Sequence, residues 1–252
     1  MGAQYGGFAD LYDRLMADVD YGAWAEYLLL RLREGGVPDG GSVADCACGT
    51  GAFTLRFAQA GYRATGVDRS EQMLAVAQQK ARKSGLNIPF VCQDIRSFCV
   101  HKPLDAVNCA CDGVNYLLSV GDASAFFKSA YAALKPGGVL LFDVSSEYKL
   151  EHVLGGQTFG EDDPACTYLW QNAFDPKTRL LEMDLSFFTP DGSGRYIRLD
   201  ETHIQRAHTV KELTCALEEA GFGEISAFGA FTVLPPEADA QRIQFIAKKS
   251  RA

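Results

Sequence analysis

At Val43-Ala44-Asp45-Cys46-Ala47-Cys48-Gly49-Thr50-Gly51 the chain passes out of a short apolar run, through an acidic residue, into a glycine turn. Backbone without a side chain can pass close to a ligand, and residues 52 to 60 then read as a helix whose first unpartnered amides point at the same place. That order of strand, turn and helix constrains the fold more than any other stretch. It belongs to α/β proteins that take their ligand at the carboxyl edge of a sheet. Acidic residues recur at the ends of the next two predicted strands, at Asp68 and Asp94. Two such carboxylates beside the turn can hold a nucleoside that lacks a pyrophosphate.

The rest of the chain keeps the alternation. Spacing predicts strands over 43–48, 63–67, 88–93, 104–110 and 138–144, with helices over 52–60, 71–84 and 122–134, which implies a parallel sheet with helices on both faces. Two helices come first. Phe8, Leu11, Tyr12, Leu15 and Met16 recur at helical spacing, and a second helix starts at Asp20 as N-cap, runs through Trp24, Leu28 and Leu32, and stops at Gly35-Gly36. After Ser146 the rhythm changes: 168–174, 179–189 and 195–205 read as three strands joined by turn-rich segments, the mark of antiparallel hairpins. A helix over 210–220 and strands over 223–229 and 242–248 return to the earlier pattern. The expected organisation is cap helices and a ligand-binding core over 1–146, an antiparallel cover over 147–207, and a C-terminal part over 208–252 that completes the core.

A formal net charge of −8 argues against a sequence-independent grip on nucleic acid, which needs clustered Lys and Arg. Residues 1–10 carry neither a basic start nor an apolar stretch of signal length, and no segment approaches the roughly 20 apolar residues of a membrane span. A cytoplasmic protein without membrane contact is expected. The eight cysteines are dispersed through predicted strands and helices, so reduced thiols are expected. Cys46, Cys48, Cys109 and Cys111 form two C-x-C pairs on neighbouring strands, but structural zinc sites space their thiolates by two to four residues on turns, so no metal is expected.

The turn 45–51 resembles the first motif, D-x-G-x-G-x-G, of the class I S-adenosylmethionine-dependent methyltransferases, with Ala47 in place of the first glycine. A dinucleotide-binding G-x-G-x-x-G would put its third glycine at Thr54, which makes NAD the poorer ligand. The resemblance implies a Rossmann-like α/β three-layer sandwich, with a mostly parallel seven-stranded sheet and an antiparallel hairpin insertion after the fifth strand. It implies S-adenosylmethionine as cofactor, beside Asp45, Ala47, Cys48, Gly49, Thr50 and Gly51 of the turn. Asp68, followed by Arg69, would accept from the ribose hydroxyls, and Met73 would lie against the adenine. Asp94 would accept from the adenine amino group while the Ile95 amide donates to the ring. In similar enzymes a carbonyl after the fourth strand holds the methionine ammonium, which places Cys111, Asp112 and Tyr116 at the cofactor. The opening residues 8–24 are similar to the start of a bacterial subgroup, largely without assigned substrates, whose N-terminal helices cap the cofactor with a tyrosine such as Tyr12 near its carboxylate. Plainer roles stand beside these: Ser70 as a helix cap, Asp94 paired with Arg96, Trp24 in the core.

Over 201–205 the odd positions share a strand face, so Glu201, His203 and Gln205 could line a polar wall above the transferable methyl group. His203, Tyr116 and Glu201 are the candidates for a catalytic base. The alternative for each is a solvated sheet face. The function expected is S-adenosylmethionine-dependent methylation of a small-molecule acceptor beneath the insertion. No Asn-Pro-Pro-Tyr motif is present, which weighs against a base-amine or glutamine acceptor. The rivals are an RNA- or protein-modifying methyltransferase, a cofactor-binding protein without transfer activity, and a nucleotide-dependent oxidoreductase.

Overall fold

The computed structural model describes residues 9–251; Phe8, placed on the first helix by its spacing, lies outside them. Two helices, α1 (Ala9–Leu15) and α2 (Tyr21–Glu34), precede the alternation β1 (Ser42–Cys46), α3 (Ala52–Gln59), β2 (Arg63–Asp68), α4 (Glu71–Lys83), β3 (Phe90–Cys92), β4 (Leu104–Cys109), α5 (Val120–Ala133) and β5 (Leu134–Ser145). Then come β6 (Thr158–Glu161), β7 (Thr167–Asp175), β8 (Leu180–Pro190) and β9 (Tyr196–Arg206), followed by α6 (Val210–Ala220), β10 (Phe222–Gly229) and β11 (Arg242–Lys249).

Among the described residues the strands form two sheets. The larger has the order β10-β11-β5-β4-β1-β2-β3, parallel except for β11, which runs antiparallel to both β5 and β10. The smaller is the antiparallel meander β6-β7-β8-β9. The mixed α/β architecture and the seven-stranded sheet are as the sequence predicts. The insertion differs: it has four strands where spacing predicts three. All four residues of β6 are exposed, so that strand carries no apolar alternation by which to read it. A single π-helical turn, Lys149–Leu154, also precedes it unannounced. The fifth strand starts at Leu134 instead of 138, because Pro136-Gly137-Gly138 is absorbed as an irregularity between the pairs Leu104–Leu134 and Ala106–Val139.

Local chemistry explains the helix ends. Asp20 accepts from the Ala23 amide at 2.9 Å, and Ser70 from the Met73 amide at 3.3 Å. The central strands are buried on both faces, as parallel strands between helices must be. In β1, Val43 packs with Leu28 and Leu32 of α2 and Phe57 of α3, while Ala44 and Cys46 face a second cluster built on Phe126 and Phe127 of α5 and Leu217 of α6. Phe142 of β5 stacks on Phe245 of β11 with ring centroids 4.8 Å apart, which fixes the antiparallel strand against the parallel ones. Each such fully buried side chain stabilises the fold by about 1.5–3 kcal/mol. Trp24 is in the core, 5% exposed and edge-on to Phe53.

Candidate active site

A cavity of about 460 Å³ opens between the carboxyl edge of the large sheet, α1 and the small sheet. Its floor is the glycine turn. Ala47, Gly49 and Gly51 all take positive φ (+53°, +53° and +80°), so the chain doubles back tightly after β1. Alanine in that conformation costs about 1–2 kcal/mol. A Cβ placed on Gly49 would meet nothing within 4 Å, so bare backbone faces the chamber there. Gly51 faces the other way: a Cβ on it would meet Leu55 and Ala77 at 3.0 and 3.1 Å, so it serves the packing of α3 on α4. Asp68 ends β2 and accepts from the Gly49 amide at 2.8 Å and the Ser70 amide at 2.9 Å. Burial raises its carboxyl above the ordinary range while those amides pull it back. Each oxygen keeps a second lone pair for a ligand.

α1 lies across this turn. Asp13 accepts from the Thr50 hydroxyl at 2.6 Å and from Lys80 of α4 at 2.8 Å, which holds Tyr12, Leu15 and Met16 as one wall of the cavity. Under the turn Asp45 is buried and accepts from Thr54 Oγ1 at 2.5 Å and Asn108 Nδ2 at 2.8 Å. Burial pushes its carboxyl up to about 6. Thr54, where a dinucleotide fold would have glycine, is thus the partner of the buried acid.

The exit from β4 forms the next wall. Cys111 and Asp112 both take positive φ (+64° and +65°), an uncommon pair for residues with side chains. Asp143 holds them there, accepting from the Cys111 amide at 2.7 Å and the Asp112 amide at 3.3 Å. Arg242 bridges Asp143 and Asp112, and its guanidinium lies 4.7 Å from the Trp24 ring centroid. Burial opposes both charges; Arg242 still draws Asp112 below the usual carboxylate range, while Asp143, beside Asp112 and with no exposure, is pushed up. Asn115 then ties this loop to two strands: its Nδ2 donates to the carbonyls of Ser145 and Arg206 at 3.0 Å each, and its Oδ1 accepts from the Ser145 amide at 2.9 Å.

That tie brings Tyr116 to the small sheet, where its hydroxyl lies 3.2 Å from His203 Nδ1. Alternate residues of β7, β8 and β9 face the chamber: Tyr168 and Trp170, then Met183, Leu185 and Phe187, then His203 and Gln205. Glu201 pairs with Leu185 in register and shares that face, yet it does not line the cavity. Burial, with Arg69 nearby, lowers His203 to about 4, so its imidazole is neutral at pH 7.

Residues 43–138 match the methyltransferase domain family. An S-adenosylmethionine-dependent methyltransferase from Clostridium acetobutylicum ATCC 824, known from its crystal structure, is 33% identical and superposes with a TM-score of 0.88 over 98% of this chain and 99% of that one. The YqeM protein of Bacillus subtilis (strain 168), which carries a provisional methyltransferase designation, is 39% identical over 248 residues, 98% of each chain. The chain belongs to the class I S-adenosylmethionine-dependent methyltransferases. A more distant relative, 25% identical over 84% of both chains, is the dTDP-4-amino-2,3,4,6-tetradeoxy-D-glucose N,N-dimethyltransferase of Saccharopolyspora spinosa.

S-adenosylmethionine is the expected cofactor of this methyltransferase, and the site fits it: open space over Gly49, a buried acceptor at Asp68, and an apolar flank at Met73 and Ile95. Of the residues singled out in the sequence, Tyr12, Ala47, Gly49, Asp68, Arg69, Met73, Asp94, Ile95, Cys111, Asp112, Tyr116 and His203 all line the large cavity. Asp45, Cys48 and Thr50 line only a small adjoining recess beneath the turn, and Gly51 and Glu201 line neither. Four of these five, Asp45, Cys48, Thr50 and Gly51, also make contacts that hold the turn itself. Asp45 is spent on Thr54 and Asn108, Thr50 on Asp13, and Cys48 lies against Gly66 of β2. Asp94 sits at the cavity rim paired with Arg96 at 2.6 Å, and Arg96 pairs in turn with Asp122 at 2.9 Å. The site residues that sequence reasoning missed are Asp13, Asn115, Asp143, Lys149 and Arg242. The signal for Asp143 was a lone acid closing the long apolar run of β5.

Proposed function

We propose that this methyltransferase acts on a small molecule, which enters the chamber between the sheet edge and the β7–β9 wall and loses its proton through Tyr116 and His203. The carrying observation is the closeness of that pair, 3.2 Å apart, on a wall whose middle strand presents Met183, Leu185 and Phe187. The chamber's volume, about 460 Å³, and its cover by α1 and the small sheet suit a small ligand better than a folded macromolecule. The Saccharopolyspora spinosa relative, named for a sugar substrate, points the same way. Eight free thiols suit a reducing compartment such as the cytoplasm.

In this reading Asp68 and the backbone at Gly49 hold the adenosyl group, Met73 and Ile95 flank its base, and the Cys111–Asp112 turn and Tyr12 hold the methionine end. The cofactor supplies a methyl group on a sulfonium, already a strong leaving group. The protein therefore has three tasks: alignment, exclusion of water, and disposal of one proton. For the last, Tyr116 donates to neutral His203 Nδ1, so a proton passed from the acceptor to the tyrosine oxygen is matched by one passed to the imidazole. Asn115, stapled to β5 and β9, keeps the tyrosine in place for that transfer.

The test is to incubate the enzyme with methyl-labelled S-adenosylmethionine and bacterial extract separated into small-molecule, protein and RNA fractions. Label is expected in the small-molecule fraction. Label confined to protein or RNA would contradict the proposal.

A further inference from the structure

Two polar side chains that line the chamber, Gln205 and Lys149, have no hydrogen-bond or ion-pair partner among the described residues. Gln205 on β9 is 6% exposed and lines the cavity, yet its side-chain amide makes no hydrogen bond among the described residues. Lys149, on the π-helical turn after β5, also lines the cavity, and no carboxylate lies within 4 Å of its ammonium among the described residues. Its charge helps hold Asp112 low, yet the oxygens of Asp112 are already taken by Arg242 and Ser145. The other cavity-lining acids lie toward the turn and the β3 rim.

Buried polar groups in folded proteins are paired in the great majority, so the unpaired Gln205 amide, with the half-buried Lys149 ammonium on the same chamber, calls for a ligand. Lys can only donate, and the Gln amide carries two further donors. What they lack in common is an oxygen acceptor, and a cationic donor favours a negatively charged one. Around them Leu154, Met183 and the Trp170 ring are apolar, so the rest of the ligand must be apolar too.

We propose that the methyl acceptor is a small amphiphilic acid, whose carboxylate or phosphate is bound by Lys149 with Gln205 and whose apolar body lies against Met183 and Leu154. This rests on the function proposed above and names its substrate class. The anion fixes one end of the molecule and leaves the other to present its nucleophile at Tyr116. Neutral sugars and free amines lack the group that would satisfy these donors.

The experiment is calorimetry on the enzyme saturated with S-adenosylhomocysteine, with 4-hydroxybenzoate, phenyl phosphate and neutral 4-hydroxybenzamide as probes. At least one anion is expected to bind saturably and at least tenfold more tightly than the amide, and the better of the two identifies carboxylate or phosphate. Lys149→Gln is expected to weaken that binding at least tenfold, and Gln205→Leu severalfold, with the affinity for S-adenosylhomocysteine unchanged within twofold. The proposal is overturned if neither anion binds, if the amide binds as well, or if Lys149→Gln leaves anion binding intact. It is also overturned if Lys149→Gln weakens S-adenosylhomocysteine itself, which would assign the lysine to the cofactor. Failure of wild-type enzyme to bind S-adenosylhomocysteine is a separate result and strikes the underlying function instead.

Discussion

His203 is 4% exposed, and burial with Arg69 nearby brings it to about 4 from an ordinary 6.5. As a base it is therefore in its working form at every pH above about 4, and the acid limb of kcat should fall near pH 4 instead of near 6.5. The same shift affects folding. The unfolded chain binds a proton below 6.5 that the folded one refuses until about 4, so this group's contribution to stability is complete above 6.5 and is lost as pH falls through that window. His203→Asn is expected to lower kcat by about 10²–10⁴-fold while the dissociation constant for S-adenosylhomocysteine stays unchanged. An acid limb that persists near pH 4 in the variant would place the titration elsewhere. The pairing with Tyr116 could not be read from the chain, because 87 residues separate the two, and the bonds of Asn115 to Ser145 and Arg206 and of His208 to the Leu117 carbonyl bring them together. The turn at Ala47–Gly51 could be read, since its residues are contiguous and glycine's reason for being there is local.

At the scale of elements, two links carry the site. The first is α1 on the glycine turn, held by Asp13 to Thr50 and Lys80. Asp13→Ala removes a hydrogen bond and a half-exposed ion pair, together about 0.5–1.5 kcal/mol, so the affinity for S-adenosylhomocysteine should fall about 2–10-fold. Hydrogen exchange in α1 should rise with it. The second is α6 on the foot of the small sheet. Thr209 and Glu212 form a capping box, and Glu212 also pairs with Arg206 at 3.0 Å and with Arg179. Burial works against the Glu212 charge, but Arg206, the Thr209 amide and Arg179 together hold its carboxyl at about 2, below the usual 4.5. Its contribution is present above 4.5 and is lost as pH falls toward 2. Glu212→Gln should destabilise the protein at pH 7 by about 1–3 kcal/mol, seen as a fall in Tm, and the gap to wild type should close between pH 4.5 and 2. The helix α6 was legible in its spacing over 210–220 and lies at Val210–Ala220. The strand β6 was not, since a fully exposed strand that covers Trp170 with Phe159 lacks the alternation that reveals its neighbours.

Over the whole molecule, the large sheet supplies a floor and the small sheet a ceiling, and the chamber between them exists only because both are present. The alternation of strands and helices that makes the large sheet mostly parallel followed from apolar periodicity. The support beneath the floor did not: Arg242 lies 130 residues from Asp112 and 99 from Asp143 in the chain, yet it sets the conformation of the β4 exit from the opposite edge of the site. Binding of a ligand to this chamber alone stabilises the fold, by about 2.7 kcal/mol at a hundredfold excess over its Kd. The account as a whole depends on the bare backbone at Gly49 and the Asp68 carboxylate holding an adenosyl thioether. Calorimetric titration with S-adenosylhomocysteine tests this most directly: wild-type protein should bind one equivalent, and Asp68→Asn should bind about 10–100-fold more weakly, as the loss of charge-assisted hydrogen bonds requires. No saturable binding to the wild-type protein, or equal affinity in the variant, would contradict it.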